Sequence, residues 1–390
     1  MSSRHKRSSS SHVAKQQATS EVLPVRSILV LVFVICVIFF GGKLFLDNRT
    51  SERVYTKNAT STNGATEAVA TATPVLVLDK ALYDMKVLLL ANLPPIKVLP
   101  AASSSTSTPT FIQATSSHGW PVQAPYPNYG ALLPFNRIVA YYGNFYSKQM
   151  GVLGEYPPDV VITKLNAEVE NWKVADPSTP VIPAIHYIAA VAQASAGDDG
   201  DYLARMPFKE IDKAVEMAKS INGIVFLDLQ MGHSTVSEEV HAIEKYLMLP
   251  EVHLGIDPEF SMKNGKKPGT FIGTLDAEDI NQAAEILAKI VRDNNLPPKI
   301  LLVHRFTNTM ITNAENIRPL KEVQIIMDMD GWGSPDLKKG TYKQVITKEP
   351  VQFSGIKLFY KNDMKKPSTR MLTPEEILKL QPKPIYIQYQ

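Results

Sequence analysis

The sequence holds a single cysteine among 390 residues, Cys36, and this residue lies inside an apolar run. A disulfide framework is therefore excluded, and a folded domain must be stabilised by its own core. The sequence also has little excess of either charge: the net charge is +3, and because residues 1–26 hold five basic residues and one acid, the rest of the chain is at about −1. The remainder predicts no basic surface, so we expect no nucleic-acid partner.

Motifs of nucleotide and cofactor chemistry are missing as well. The chain has no P-loop, no dinucleotide-binding glycine fingerprint and no nucleophile elbow. It also lacks the H-x-x-x-H spacing of many metal sites. The sequence therefore predicts no cofactor and no metal. A deacetylase-type metal site built from His186, Asp228 and His233 stays open as the alternative.

Eight short apolar runs follow one another between Arg137 and Gln390. They read IVAYYGN, VIPAIHY, IVFLDLQ, VHLGIDPEF, ILLVHRF, QIIMDMD, GIKLFY and PIYIQYQ. Val, Ile and Leu dominate these runs without strict polar alternation, which is typical of parallel strands covered by helices on both faces.

Segments with helical periodicity separate most of the runs. They are 214–221, 237–249, 277–295 and 372–380. Asp276 and Thr373 are predicted N-caps, with Pro374 at the first helical position. The first and fifth crossovers give weaker helical signals. Eight strand-helix repeats in about 260 residues predict an α/β fold, a TIM-type (β/α)8 barrel over residues 120–390.

The N-terminal region predicts a membrane tether. Residues 28–40 are uninterrupted apolar residues, and we expect a single transmembrane anchor over 27–46. Five basic residues precede it against one acid, Glu21, so the tail 1–26 should be cytoplasmic and the barrel extracytoplasmic. A cleavable signal peptide is the alternative interpretation.

A Ser/Thr/Ala-rich stalk is predicted over 47–119. Ten of the eighteen residues in 101–118 are Ser or Thr, which is typical of a flexible spacer. Within the stalk, 75–93 has too many large apolar residues for a free linker. We expect an amphipathic helix there that docks on the barrel, or alternatively a short coiled-coil contact with a partner.

Acidic residues gather where the predicted strands end. Barrel enzymes build their sites at the carboxyl ends of the strands, and these ends hold the predicted catalytic acids Asp228, Asp257, Glu259 and Asp330. Buried together, such acids differ in protonation, so that one donates a proton while another stays ionised. This division of roles predicts glycoside cleavage. Glu259 is the expected proton donor, tuned by Asp257, with Asp228 or Asp330 as the second carboxylate.

Other polar residues at the strand ends are predicted to bind substrate. They are Asn144, His186, Gln230, His304, Trp332, Tyr360 and Gln388. Trp332 between two glycines is a candidate platform for stacking on a sugar, or an aromatic that plugs its loop. For His304 the alternative is a buried, hydrogen-bonded structural side chain, and for His186 it is that Tyr187 faces inward instead. Asn144 and Gln388 have a structural alternative as partners of the backbone.

The Asp257-Pro258-Glu259 motif closes the fourth predicted strand, and Asp228 closes the third. This arrangement resembles the fourth-strand D-x-E of lysozyme-like and chitinase-like barrel glycosidases, and the resemblance implies that the outer Glu is the proton donor. The chain differs from the longer chitinase series at Val252 and Gly255. It is also similar to an uncharacterised group of exported, membrane-anchored bacterial proteins with L-D-L-Q and D-P-E motifs.

These predictions combine into one expected function. The chain is expected to be a membrane-anchored, extracytoplasmic glycoside-hydrolase-like protein that acts on cell-envelope or extracellular polysaccharide. Its expected partners are a carbohydrate or cell-wall glycan and the lipid bilayer, the latter through 27–46. The alternative is a non-catalytic barrel that binds envelope glycan or serves as a scaffold.

Overall fold

The computed structural model describes residues 77–93 and 119–390. The predicted tail 1–26, anchor 27–46 and most of the stalk lie outside the described residues. Within the described ranges, no helix has both the length and the apolar character that crossing a membrane requires.

Parallel strands close into a barrel. The strands in chain order are β1 (Arg137–Gly143), β2 (Val181–Ala192), β3 (Leu203–Arg205), β4 (Ile224–Gly232), β5 (Val252–Ser261), β6 (Leu275–Asp276), β7 (Lys299–Arg305), β8 (Ile311–Thr312), β9 (Val323–Met329), β10 (Phe353–Leu358) and β11 (Tyr386–Tyr389). The barrel order is β1, β2, β4, β5, β7, β9, β10, β11, and β11 pairs with β1 to close the sheet. The predicted (β/α)8 barrel is confirmed.

Helices cover the outside of this barrel. They are α1 (Lys80–Ala91), α2 (Val152–Glu155), α3 (Pro158–Ala175), α4 (Phe208–Lys219), α5 (Val236–Ala242), α6 (Glu244–Leu247), α7 (Ala277–Asn294), α8 (Pro335–Tyr342) and α9 (Pro374–Ile377). The weak fifth crossover forms only two short 3-10 turns and β8. The weak first crossover, in contrast, contains the eighteen-residue α3.

The predicted helix starts at Asp276 and Thr373 are confirmed. The Asp276 side chain accepts a hydrogen bond from the Glu278 N–H at 3.0 Å, and the Asp279 carboxylate accepts one from the Asp276 N–H at 2.7 Å. Thr373 forms the same reciprocal capping box with Glu376. Because these boxes satisfy N–H groups that have no partner inside the helix, they fix where each helix leaves its strand.

The barrel interior changes character along its length. Inward positions near the strand starts are apolar, for example Ile138, Phe226, Ile300 and Ile326, which pack in one cluster. Two to four residues later along the same strands, the inward side chains are ionisable, namely Tyr142, Asp228, His304 and Asp328. Alternation along each strand therefore stacks a polar layer on an apolar one, at the carboxyl end where barrel sites lie.

Helix α1 lies against the opposite end of the barrel. Its Tyr83 is buried in the apolar cluster of the strand starts, with its ring edge-on to Phe135 at 6.2 Å between centroids. The Lys383 N–H donates to the Leu90 carbonyl at 2.7 Å, and Asn92 Nδ2 donates to the Leu380 carbonyl at 2.9 Å. The segment predicted as a docking helix thus closes the bottom of the barrel.

Tyr83→Ala is expected to lower the free energy of unfolding by about 2 to 3 kcal/mol, because it opens a cavity where α1 meets the barrel. Met85→Ala on the same helix is the matched control, since Met85 is 50% exposed, and it should change stability little. Urea denaturation followed by circular dichroism measures both. Equal effects of the two variants would mean that α1 does not stabilise the barrel.

Candidate active site

The polar layer of the barrel is built from inward side chains of its strands. They include Tyr142 (β1), His186 (β2), Asp228 and Gln230 (β4), Asp257 and Glu259 (β5), His304 (β7), Asp328 (β9) with Asp330 just after it, Lys357 (β10), and Tyr386 and Gln388 (β11). All of these side chains are buried, so their charges interact with little screening by solvent.

Asp228 lies at the centre of this layer. Tyr142 donates to its Oδ2 at 2.9 Å, and its Oδ1 lies 3.4 Å from Nε2 of His186 and 3.4 Å from Nε2 of His304. Burial acts to raise the pKa of Asp228, but the attraction of His304 and hydrogen bonds from both histidines outweigh it and hold this pKa far below its usual range. Asp228 is therefore an ionised and fully buried carboxylate.

The two histidines use their second ring nitrogens differently. Nδ1 of His186 lies 2.6 Å from the Tyr386 hydroxyl, whereas Nδ1 of His304 faces acids on β9, with Asp328 Oδ2 at 3.4 Å. Burial lowers the pKa of His186. For His304, burial acts in the same direction but the charge of Asp228 outweighs it, which raises the pKa of His304 well above its ordinary value. The acid groups on either side of His304 therefore favour the charged form of its imidazole.

Two glycines make room for these groups. A Cβ on Gly255 would lie 2.5 Å from Asp228 Oδ1 and 2.8 Å from His186 Nε2, and one on Gly355 would lie 2.5 Å from Asp328 Oδ1. All three distances are far below van der Waals contact. Gly255, where the chitinase-type series would have an acid, is therefore needed here to admit His186 beside Asp228.

Glu259 and Asp330 form the outermost part of the acid group. Each is 8% exposed, against 3% for Asp257 and none for Asp228. Burial raises the pKa of Asp257 to about 7, with a further increase from the charge of Asp330. Burial, followed by the charge of Asp257, raises the pKa of Glu259 well above its usual range. This direction favours the protonated form of Glu259, which is the form that a proton donor needs.

Asp257→Asn is expected to stabilise the protein at about pH 8 but not at about pH 4. A carboxyl whose pKa rises from 3.8 to about 7 on folding destabilises the fold once it ionises, and this penalty grows as the pH rises through that window. A melting temperature a few degrees above wild type at the higher pH alone is expected. Asp198→Asn, at an exposed position, is the control. The same gain at both pH values would contradict the buried-charge explanation.

Four members of the layer were missed as site residues, namely Tyr142, Asp328, Lys357 and Tyr386. Lys357 Nζ lies 3.7 Å from the centroid of the Tyr142 ring, and its positive charge acts to lower the pKa of Glu259. One sequence signal was available for it, since a lysine in an otherwise apolar strand requires a partner once buried.

Four of the predicted binding residues enter this layer. His186 and His304 do so as described, and Gln388 Nε2 lies 3.0 Å from Nδ1 of His186. Gln230 lies two residues beyond Asp228 on β4, where its Oε1 accepts from the Ala192 N–H at 2.8 Å. Asn144 instead bridges backbone groups, because its Nδ2 donates to the Ile188 carbonyl at 2.9 Å.

Tyr360 is not at the mouth of the barrel. Its hydroxyl donates to Glu168 Oε1 of α3 at 2.6 Å, and its ring stacks on Tyr389. The inward positions of β10 alternate through Gly355 and Lys357, so Tyr360 falls on the outer face, under α3. The prediction that it contributes to the site is therefore corrected.

Trp332 and His233 lie in loops that follow strands of the barrel. Trp332, in the loop after β9, is half-buried, with Lys365 Nζ 5.1 Å from its ring centroid. His233 does not join His186 and Asp228, because its Nε2 contacts the Lys266 carbonyl at 2.9 Å in the loop after β4. Instead, His304 supplies the third nitrogen or oxygen atom of a cluster within 4.8 Å.

Comparison with known proteins gives no family assignment. No protein-family model matches the chain, and no curated protein matches it. Among solved structures, it is similar to the Bacillus subtilis mannanase BCman, with 13% identity over 66% of this chain and 80% of that chain and a TM-score of 0.33. For the B. subtilis mannanase man26 the values are 12%, 66%, 80% and 0.32. For the B. subtilis YdhT protein they are 13%, 66%, 81% and 0.33. The fold assignment therefore rests on the strand order of this chain itself.

Proposed function

We propose that the barrel is a glycoside-hydrolase-like enzyme that cleaves polysaccharide by carboxylate acid/base chemistry. The observation that carries this proposal is one group of acids at the carboxyl end of the barrel, in which Glu259 and Asp330 are the outermost members. Glycoside cleavage requires a pair of carboxyl groups at the sugar, one neutral and one ionised. Burial raises the pKa of Glu259 well above its usual range, which suits the neutral role.

Glu259 is the proposed proton donor. Its proton goes to the glycosidic oxygen as the bond from that oxygen to the anomeric carbon breaks, and water adds to the carbon while its spare proton passes to one of the two carboxylates. Asp330, as exposed as Glu259, is the proposed second carboxylate at the sugar. Burial raises the pKa of Asp330, whereas the positive charges of His304 and Lys357 act to lower it and favour its ionised form. Asp228 has no exposed surface, and we assign it to positioning the two histidines.

The proposed setting is extracytoplasmic. The apolar run 28–40 and the basic residues before it support an anchor over 27–46 with the tail 1–26 in the cytoplasm. The substrate would then be a cell-envelope or extracellular polysaccharide, and the partners a glycan and the lipid bilayer.

Isotope labelling tests this proposal. The full chain in detergent is incubated with a panel of envelope and extracellular polysaccharides in H₂¹⁸O, and the products are analysed by mass spectrometry. Hydrolysis places one ¹⁸O atom in each new reducing end. Products that are unsaturated and unlabelled would overturn the proposal in favour of elimination, and so would the absence of any product from the whole panel.

A non-catalytic glycan-binding or scaffolding barrel is the second candidate. One observation favours it, because none of the four predicted catalytic acids is more than 8% exposed. Isothermal titration with oligosaccharides distinguishes the two candidates. Binding to the wild type without any product supports the second, whereas labelled product supports the first.

A further inference from the structure

We propose that His186, Asp228 and His304 form a binding site for one divalent first-row transition-metal ion, for which Zn²⁺ is the probe. The ligand atoms are Nε2 of each histidine and Oδ1 of the aspartate. This inference goes beyond the proposed function, since no step of glycoside cleavage depends on it. It also revises the prediction of no metal that the missing H-x-x-x-H spacing suggested.

The geometry of the three atoms fits an ion. Zinc bonds of about 2.0 to 2.2 Å place tetrahedral ligand atoms about 3.4 Å apart. The two separations from Asp228 Oδ1 are both 3.4 Å, and all three atoms lie within 4.8 Å of one another. The imidazoles need only a small swing toward each other to coordinate a common ion.

Within the described part of the chain, the same three atoms are buried and make no hydrogen bond of acceptable geometry. Buried polar atoms are nearly always satisfied, so three that converge on one point call for an explanation. One cation would satisfy all of them at once.

Each candidate ligand also has a neighbour on the side away from the proposed ion. Asp228 Oδ2 accepts from Tyr142 at 2.9 Å, His186 Nδ1 lies 2.6 Å from the Tyr386 hydroxyl, and His304 Nδ1 faces Asp328 Oδ2 at 3.4 Å. Metal sites have this second set of contacts, and a carboxylate behind a ligating imidazole is common among them.

The contacts of Gln388 are compatible with His186 as a metal ligand. Its Nε2 lies 3.0 Å from His186 Nδ1, while its Oε1 is buried without a hydrogen-bond partner. Turning the amide over lets Oε1 accept from a protonated Nδ1, which is the tautomer that leaves Nε2 free to bind a metal.

The donor set selects the class of ion. Two imidazoles and one carboxylate suit Zn²⁺, Co²⁺ or Fe²⁺, whereas Mg²⁺ and Ca²⁺ prefer oxygen ligands. A dication also suits the charge of the site, because it would take the place of the proton that His304 carries on Nε2, 3.4 Å from Asp228 Oδ1.

Calorimetry tests the site without any glycan, so its outcome is independent of the proposed function. The full chain, untagged and stripped with a chelator, is titrated with Zn²⁺ and separately with Mg²⁺. We expect one Zn²⁺ per chain and no Mg²⁺ binding. His186→Gln and His304→Gln should weaken Zn²⁺ binding at least about 100-fold, and Tyr142→Phe about 10-fold. His233→Gln, which alters a histidine outside the cluster, should leave it unchanged.

Cobalt provides a readout that needs no variant to fold. Co²⁺ added to the wild type should give the intense visible absorption of a four- or five-coordinate ion, and Zn²⁺ should abolish it. The weak spectrum of six-coordinate Co²⁺ would overturn the proposal. Zn²⁺ binding that is equally strong in wild type and in a correctly folded His304→Gln would also overturn it.

Discussion

Glu259→Gln should lower kcat by about 10² to 10⁴-fold, the usual contribution of a positioned general acid. Glutamine keeps the shape of the side chain but cannot donate the proton that the leaving oxygen needs. Because burial and the charge of Asp257 raise the pKa of Glu259, the uncharged form of this residue is favoured, and the uncharged glutamine resembles that form. The fold and the substrate affinity should therefore remain close to wild type.

The pH profile provides a second check on Glu259. Its raised pKa means that wild-type activity should fall as the pH rises through that value, since the ionised form cannot donate. Glu285→Gln, at an exposed position of α7, is the matched control. Initial rates of reducing-end release measure all three proteins. A Glu259→Gln rate within a few-fold of wild type would exclude Glu259 as the donor.

Asp228→Ala is expected to destabilise the protein by about 3 to 5 kcal/mol. The variant leaves the imidazolium of His304 without its partner at 3.4 Å and the Tyr142 hydroxyl without its acceptor. Both groups are buried, so water cannot replace the lost carboxylate. Removal of one partner of a buried ion pair is costly for this reason, even where the intact pair contributes little.

Urea unfolding in the presence of a chelator measures this loss without any contribution from bound metal. Asp198→Ala, at an exposed turn position, is the control and should lie within about 0.5 kcal/mol of wild type. If Asp228→Ala unfolds at the same urea concentration as the control, then His304 is not held as a cation by Asp228.

The sequence predicted the barrel because its signal is local. Each apolar run announces a strand, and the intervening segments carry helical periodicity and caps such as Asp276 and Thr373 that need no tertiary information. The same holds for face sharing. Period-two alternation correctly grouped Asp228 with Gln230 on one face of β4.

The sequence could not show which of two alternating sets of side chains points into the barrel on each strand, nor which side chains meet across it. In the first run, Tyr141 and Tyr142 are adjacent, and only packing decides that Tyr142 points inward to Asp228. The contact of His304 with Asp228 joins different strands, and its distance depends on barrel closure. The position of Tyr360 was predicted wrongly for the same reason. It lies just after the end of β10 at Leu358, and its hydroxyl contacts Glu168 of α3.

The docking of α1 at the strand starts decides which way the domain would look. Chain that arrives through α1 enters on the side opposite the acids, as the contacts of Tyr83 and Leu90 establish. An attachment made through residues that precede Lys80 would therefore meet the domain at the end away from Glu259 and Asp330.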